Sequence, residues 1–179
     1  MVRKKKEAVE ERPASAWRFE ISIFKEYWGE TPEMEAKCFE FDWKCVQLPK
    51  FQTSSLNEVK EESRKMYPFL RKVYRRLAAT NIKSDLFGIE WNEIRTFVVG
   101  DLKILDKKLK TDEIDRLFIA VNAVMADEQD SNTNNPETNK SKALIRYEFL
   151  EFMVRLAIKK YVEYGPLESE AEAIKSLHA

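Results

Sequence analysis

The chain has 179 residues, 44% of them hydrophobic and 35% charged, with only four glycines; that is enough for one ordinary domain or two very small ones, and a composition with few tight-turn positions favours helix. Lysine plus arginine balances aspartate plus glutamate at 31 each, which excludes a general electrostatic pull toward nucleic acid or an anionic membrane. No apolar run approaches the ~18 residues that span a bilayer, and the basic cluster Arg3 to Lys6 is followed by Glu7, Glu10 and Glu11 rather than by the apolar stretch of a secretory signal.

Residues 1–14 read as a disordered charged tail. Ser15 can cap a first helix, in which Trp17, Ile21, Phe24 and Trp28 form one stripe before Gly29 ends it. Thr31 followed by Pro32 is a strong restart, a capping hydroxyl with proline at the first helical position. Met34, Cys38, Phe41 and Cys45 form the next stripe, and Phe39 and Trp43 widen it, so this helix is expected to be covered on more than one side. The two cysteines, seven residues apart on one helix, stand ~10 Å apart along its axis, too far for a disulfide; they read as reduced, buried small hydrophobes in a reducing compartment. Leu48-Pro49-Lys50-Phe51 must leave the helix.

Ser55 and Glu58 make a capping box. The charged helix behind them meets Pro68, which breaks, kinks or restarts it, and Phe69, Leu70, Val73, Tyr74 and Leu77 form a buried stripe ending near Thr80. A helix is expected over Glu90 to Val99, then a connector, 100–110, with apolar points at Leu102, Ile104, Leu105 and Leu109. Thr111 starts a helix whose buried face is Ile114, Leu117, Phe118, Val121 and Met125. Residues 126–142, polar and without apolar periodicity, read as a long exposed loop. Phe149, Phe152, Met153 and Leu156 open a long helix that Gly165-Pro166 stops. A last amphipathic helix begins near Glu168, with Leu167, Ala171, Ile174 and Leu177 on one side.

Two stretches carry the pattern of a calcium-binding helix–loop–helix. Such a loop takes oxygen ligands at positions 1, 3, 5, 7 and 9, glycine at 6 and a bidentate glutamate at 12, and an aliphatic residue at position 8 pairs with its counterpart in the partner loop. Gly88 to Ile94 fits the second half of one loop, with Ile89 at position 8 and Glu93 at position 12. Its first half fails: positions 1, 3, 5 and 6 are Ile82, Ser84, Leu86 and Phe87, and a shift by one residue offers Asn81 and Asp85 only with Lys83 between them. In the second unit Leu144 takes position 8 and Glu148 position 12, while Glu137, Asn139 and Ser141 fall at 1, 3 and 5, and Lys142 replaces the glycine. Calcium binding is therefore not expected; if the ion binds, Asp85, Glu93, Asn139 and Glu148 are its candidate ligands.

The stretch Arg146 to Ala157, continuing to Lys160-Tyr161, with Leu117 to Asn122 and Ile89 to Glu93 before it, resembles EF-hand-like modules of ciliary and flagellar proteins in protists. The resemblance covers roughly residues 66–179 and implies an axonemal or cytoskeletal scaffold role; the liganding residues carry over only at Glu93 and Glu148.

No histidine-based catalytic site can be assembled from these residues, and no enzyme is expected. The sole histidine is His178, and neither a Gly-x-Gly-x-x-Gly nor a phosphate-binding loop is present. Arg71, Lys72, Arg75 and Arg76 share a helix surface suited to an acidic protein partner. Phe149, Phe152 and Met153 are expected to line a groove that clasps a partner helix. The expectation is an all-α protein: a helical segment over 15–54, a degenerate EF-hand-like pair over 55–165 and a docking C-terminal helix over 166–179. Its function is that of a non-enzymatic adaptor, without cofactor or small-molecule substrate, binding other proteins in a cytoplasmic ciliary or cytoskeletal assembly. A calcium-responsive regulator and an accessory subunit of another large complex are the alternatives.

Overall fold

The computed structural model describes residues 31–51, 53–80, 88–127 and 143–178, with the backbone alone for 123–127. The expected tail, the stripe Trp17 to Trp28, Asp85, Asn139 and the loop residues 128–142 lie outside the described residues.

Among the described residues the chain is all-α apart from two short strands. Helix α1 (Pro32–Cys45) starts where Thr31 accepts the Met34 N–H at 3.2 Å with proline at the first helical position. Helix α2 (Leu56–Thr80) starts at the capping box: Ser55 N–H donates to the Glu58 carboxylate at 2.8 Å, and Glu58 N–H donates to Ser55 Oγ at 3.2 Å. Of the three outcomes open at Pro68, the helix takes none that ends it, and α2 runs unbroken through the proline for 25 residues. Strand β1 (Ile89–Glu90) leads into α3 (Trp91–Thr96), which loosens into a π-helical turn at Phe97–Asp101. Helix α4 (Thr111–Asp127) follows the connector, and β2 (Ala143–Leu144) leads into α5 (Arg146–Ile158), which ends in a second π turn at Lys159–Glu163. Helix α6 (Glu170–His178) closes the chain.

Two helix–loop–helix units, α2–β1–α3 and α4–β2–α5, are thus joined through their loops by an antiparallel ladder in which Ile89 faces Leu144 and Glu90 faces Ala143. Both aliphatic residues of the central pair are wholly buried. Gly88 makes this approach possible: a Cβ there would lie 2.8 Å from that of Ala143. Gly165 serves a similar end, because a Cβ would meet the Tyr161 carbonyl oxygen at 2.3 Å, the same oxygen that accepts Leu167 N–H at 2.9 Å. Its φ is not positive, so the helix stop rests on close approach rather than on a left-handed cap.

The core is built on α5. From Glu148 to Ala157 every residue but Arg155 is buried, against α1, α2, α4 and α6. A helix covered all round needs apolar residues on every face, and Phe149, Leu150, Phe152, Met153, Val154 and Leu156 supply them. Trp91 meets Phe118 edge-on at 5.3 Å between α3 and α4, and Phe39 meets Tyr67 edge-on at 5.2 Å between α1 and α2.

Three expected faces are corrected. In α1 the inward positions are Phe39 and Asp42, with Trp43, Val46 and Cys38 partly covered, whereas Phe41 is 63% exposed. Cys38 and Cys45 are free thiols, half-buried rather than buried. In α2 Phe69 is exposed, meeting only the ring of His178 at 6.3 Å among described aromatic partners. In α6 the buried positions are Glu170, Ala173 and Ile174 in place of Ala171. In α1 and α6 a polar residue with a partner, Asp42 or Glu170, takes a core position that counting apolar residues cannot assign.

The connector is held by Asp106. Its Oδ1 accepts the Lys108 and Leu109 N–H groups at 2.8 Å each, and its Oδ2 accepts from Lys160 Nζ at 2.8 Å. Lys160 first, then the two backbone donors, hold this carboxyl at about 2, below the ordinary 3.8. A depressed folded value means that the stability it contributes is present above about pH 4 and is lost as pH falls toward 2. Asp106→Asn should flatten this part of the acid dependence, read as the difference between urea midpoints at about pH 6 and about pH 2.5; an unaltered difference would show that the clip contributes nothing. Gly88→Val should cost about 1–3 kcal/mol by overpacking against Ala143, measured by chemical denaturation.

Candidate functional site

The two glutamates at the twelfth loop positions sit at corresponding places in the two units. Glu93 lies in the first turn of α3, and its Oε2 is buried with no hydrogen-bond partner among the described residues. Glu148 lies in the first turn of α5, is 1% exposed, and turns back so that its Oε2 accepts the Ile145 N–H at 2.9 Å. This is half of a capping box, since Ile145 has no side-chain oxygen to return the bond. Glu148 therefore caps its own helix. Among the described residues, no group of three or more histidine, cysteine, aspartate or glutamate side chains is placed to hold a metal ion.

A second set of polar residues, which the sequence did not single out, ties the other elements to α5. Asp42 of α1 is 1% exposed and receives Arg146 in a two-pronged hydrogen bond, Nε to Oδ2 at 2.6 Å and the terminal nitrogen to Oδ1 at 2.8 Å. The Tyr67 hydroxyl of α2 donates to the same Oδ2 at 2.5 Å. Burial, then the bond to Asp42, pushes the Tyr67 phenol up, and the Asp42 bond raises Arg146 despite its own burial. One carboxylate thus joins α1, α2 and the start of α5. A turn further along α5, Glu151 accepts the Gln47 N–H at 2.8 Å and pairs with Arg155 at 2.7 Å, while Arg155 donates to the Gln47 carbonyl at 2.6 Å. Burial raises the Glu151 carboxyl in spite of these partners. At the third point, Glu170 accepts from Thr53 Oγ1 at 2.7 Å and Ser54 N–H at 2.8 Å, and Ala171 N–H donates to Ser54 Oγ at 3.0 Å. This latch holds α6 on the chain just before α2.

These arrangements decide the fate of the expected groove. Phe149, Phe152 and Met153, expected to face a partner, are at most 1% exposed. That expectation is corrected: α1, α2, α4 and α6 of the same chain cover α5, because its apolar surface is buried more cheaply by linked helices than by a separate molecule. The basic cluster is partly neutralised. Arg71 pairs with Glu35 at 3.7 Å and Arg76 pairs with Asp101, while Lys72 and Arg75 are exposed on the outside of α2.

A cleft of about 390 Å³ lies between α4 and α5. Leu117, Ala120 and Ile158 form its apolar floor, and Arg116, Lys159, Glu113 and Glu163 its charged rim. Lys159 pairs there with Glu113 at 2.9 Å and Glu163 at 3.1 Å.

The fold and these surfaces define an all-α protein of two loop-joined helix–loop–helix units. No family model matches the chain, nor does any curated protein or solved structure.

Asp42→Ala should cost about 3 kcal/mol, the low end for removing one partner of a buried ion pair, because Arg146 keeps part of its side chain in water. The variant's denaturation midpoint measures it; a change below about 0.5 kcal/mol would show that the carboxylate is not a strut.

Proposed function

We propose that the chain is a non-enzymatic, EF-hand-like helical module that binds other proteins as a structural component of a ciliary axonemal or cytoskeletal assembly. The observation that carries the reading is the pairing of Ile89 with Leu144. The loop register puts both residues at the eighth position, and paired loops of this class meet there. The surrounding order of helix, loop, two-residue strand and helix, repeated once, supports the same reading. In one unit the ligand positions 1 and 5 hold Ile82 and Leu86, and the glycine position holds Phe87 there and Lys142 in the other unit, chemistry that favours a fixed module over a switch. With its own helices filling the groove, the module meets partners from outside, through the cleft rimmed by Lys159 and Glu113 and the exposed positive charge of Lys72.

Among the described residues no helix is long and apolar enough to cross a membrane. A fluorescently tagged copy in a ciliated cell should remain with the axoneme or cytoskeleton after detergent extraction and leave at high salt. Complete release by detergent alone would overturn the assignment.

A calcium-responsive regulator is the second reading, favoured by the buried Glu93 Oε2 at a twelfth position, which has no hydrogen-bond partner among the described residues. Calcium added to chelator-stripped protein should leave both Trp91 fluorescence and the calorimetric signal flat up to about millimolar concentration, the weak end of such sites. Saturable micromolar binding that Glu148→Gln abolishes would establish the regulator and sink the fixed module. In the fixed module the same substitution has little effect, because a glutamine oxygen still accepts the Ile145 N–H.

A further inference from the structure

Helix α1 carries more apolar surface than the described residues cover. Its core side is centred on Phe39 and Asp42. A second edge, about a quarter-turn away, bears Met34, Phe41 and Cys45, with Phe41 63% exposed and the other two half-buried. This edge lies on a helix that starts at Thr31, directly after the part of the chain outside the described residues.

That preceding part contains one apolar stripe, Trp17, Ile21, Phe24 and Trp28, with spacings of four, three and four. The α1 stripe Met34, Cys38, Phe41 and Cys45 has the same spacings. The two are mirror images about Thr31: their members lie three, seven, ten and fourteen residues to either side of it. A short link between two helices makes them antiparallel neighbours, and in an antiparallel hairpin residues equidistant from the link lie at the same height. Trp28 then faces Met34, Phe24 faces Cys38, Ile21 faces Phe41, and Trp17 faces Cys45. In two of the four layers a large ring meets a small thiol, the alternation that lets side chains of facing helices interdigitate. The lengths agree, ~18 Å for residues 17–28 and ~21 Å for α1 at 1.5 Å per residue.

We propose that the exposed edge of α1 is the docking surface for the chain's own residues 17–28, which lie along it as an antiparallel helix in this register. Trp17 and Trp28 are covered by α1 rather than offered to a partner, and Phe41 belongs to an internal seam.

The test uses the full chain with both native cysteines changed to alanine. Ile21→Cys is paired with Phe41→Cys in one protein, and Ile23→Cys with Phe41→Cys in a control whose first thiol sits on the far side of the helix. A short bis-maleimide should link the 21/41 pair within one molecule about tenfold faster than the control, because the seam raises the local thiol concentration. Equal rates would overturn the proposal, and cross-linked dimers would assign the edge to a second copy of the chain, overturning it equally. In the otherwise native chain Trp17→Ala should speed the reaction of Cys45 with a thiol reagent about fivefold by restoring access to it. An unchanged Cys45 rate would also overturn the proposal, and this variant leaves every described core residue in place.

Discussion

Burial of α5 on all sides is the constraint on which the rest of the structure depends. A helix inside a domain of this size must be apolar almost everywhere, yet α5 also carries Arg146, Glu148, Glu151 and Arg155. Each charge has to find a partner close by, since an unpaired ion in the interior costs several kcal/mol. The partners come from α1 and the chain after it, Asp42 (itself bonded by Tyr67 of α2) and the Gln47 backbone, while Glu148 takes the N–H of Ile145 at the start of its own helix. The apolar residues of α5 therefore supply the adhesion, and its charges select which helix lies at which height.

The same logic places the outer elements. Helix α6 contributes a narrow apolar contact, Ala173 and Ile174, and its nine residues would not hold a position on that alone. Glu170 adds direction by accepting from Thr53 and Ser54, so α6 is pinned at its first turn against the start of α2. The connector after the first π turn is fastened in a comparable way through Asp106 and Lys160. In each case a carboxylate takes donors from a distant part of the chain, and the helices between them have few alternative arrangements.

For function, the consequence is that the apolar interior is closed. A groove lined by Phe149, Phe152 and Met153 would make the protein a clasp for a partner's helix. With these residues sealed by its own helices that route is closed, and the proposed function leaves only contacts through the charged exterior. Such contacts depend on salt and on complementarity of charge more than on apolar area. The even balance of acids and bases leaves little net repulsion between molecules.

The local grammar of this fold was legible in the sequence. Thr31 with Pro32 and Ser55 with Glu58 each mark a helix start through bonds between residues three positions apart, so the local sequence determines them, and Thr111 is followed by acids in the first turn of its helix. The pairing of Ile89 with Leu144 followed from their equivalent places in two repeated units. Asp42 was not legible. Its neighbours Phe41 and Trp43 are both aromatic, and by hydropathy the acid belongs outside and Phe41 inside; the reverse holds because Arg146, 104 residues away, makes burial of the carboxylate favourable. The same applies to Glu170, whose donors lie 116 and 117 residues earlier. Helix starts at Thr31 and Ser55 were set by short-range bonding and the register of the two loops by periodicity, whereas neither determines that α2 runs unbroken through Pro68. Which face of each helix points inward, and what fills the groove, was decided only by the tertiary structure, because a charge changes sides when its partner arrives from elsewhere in the chain.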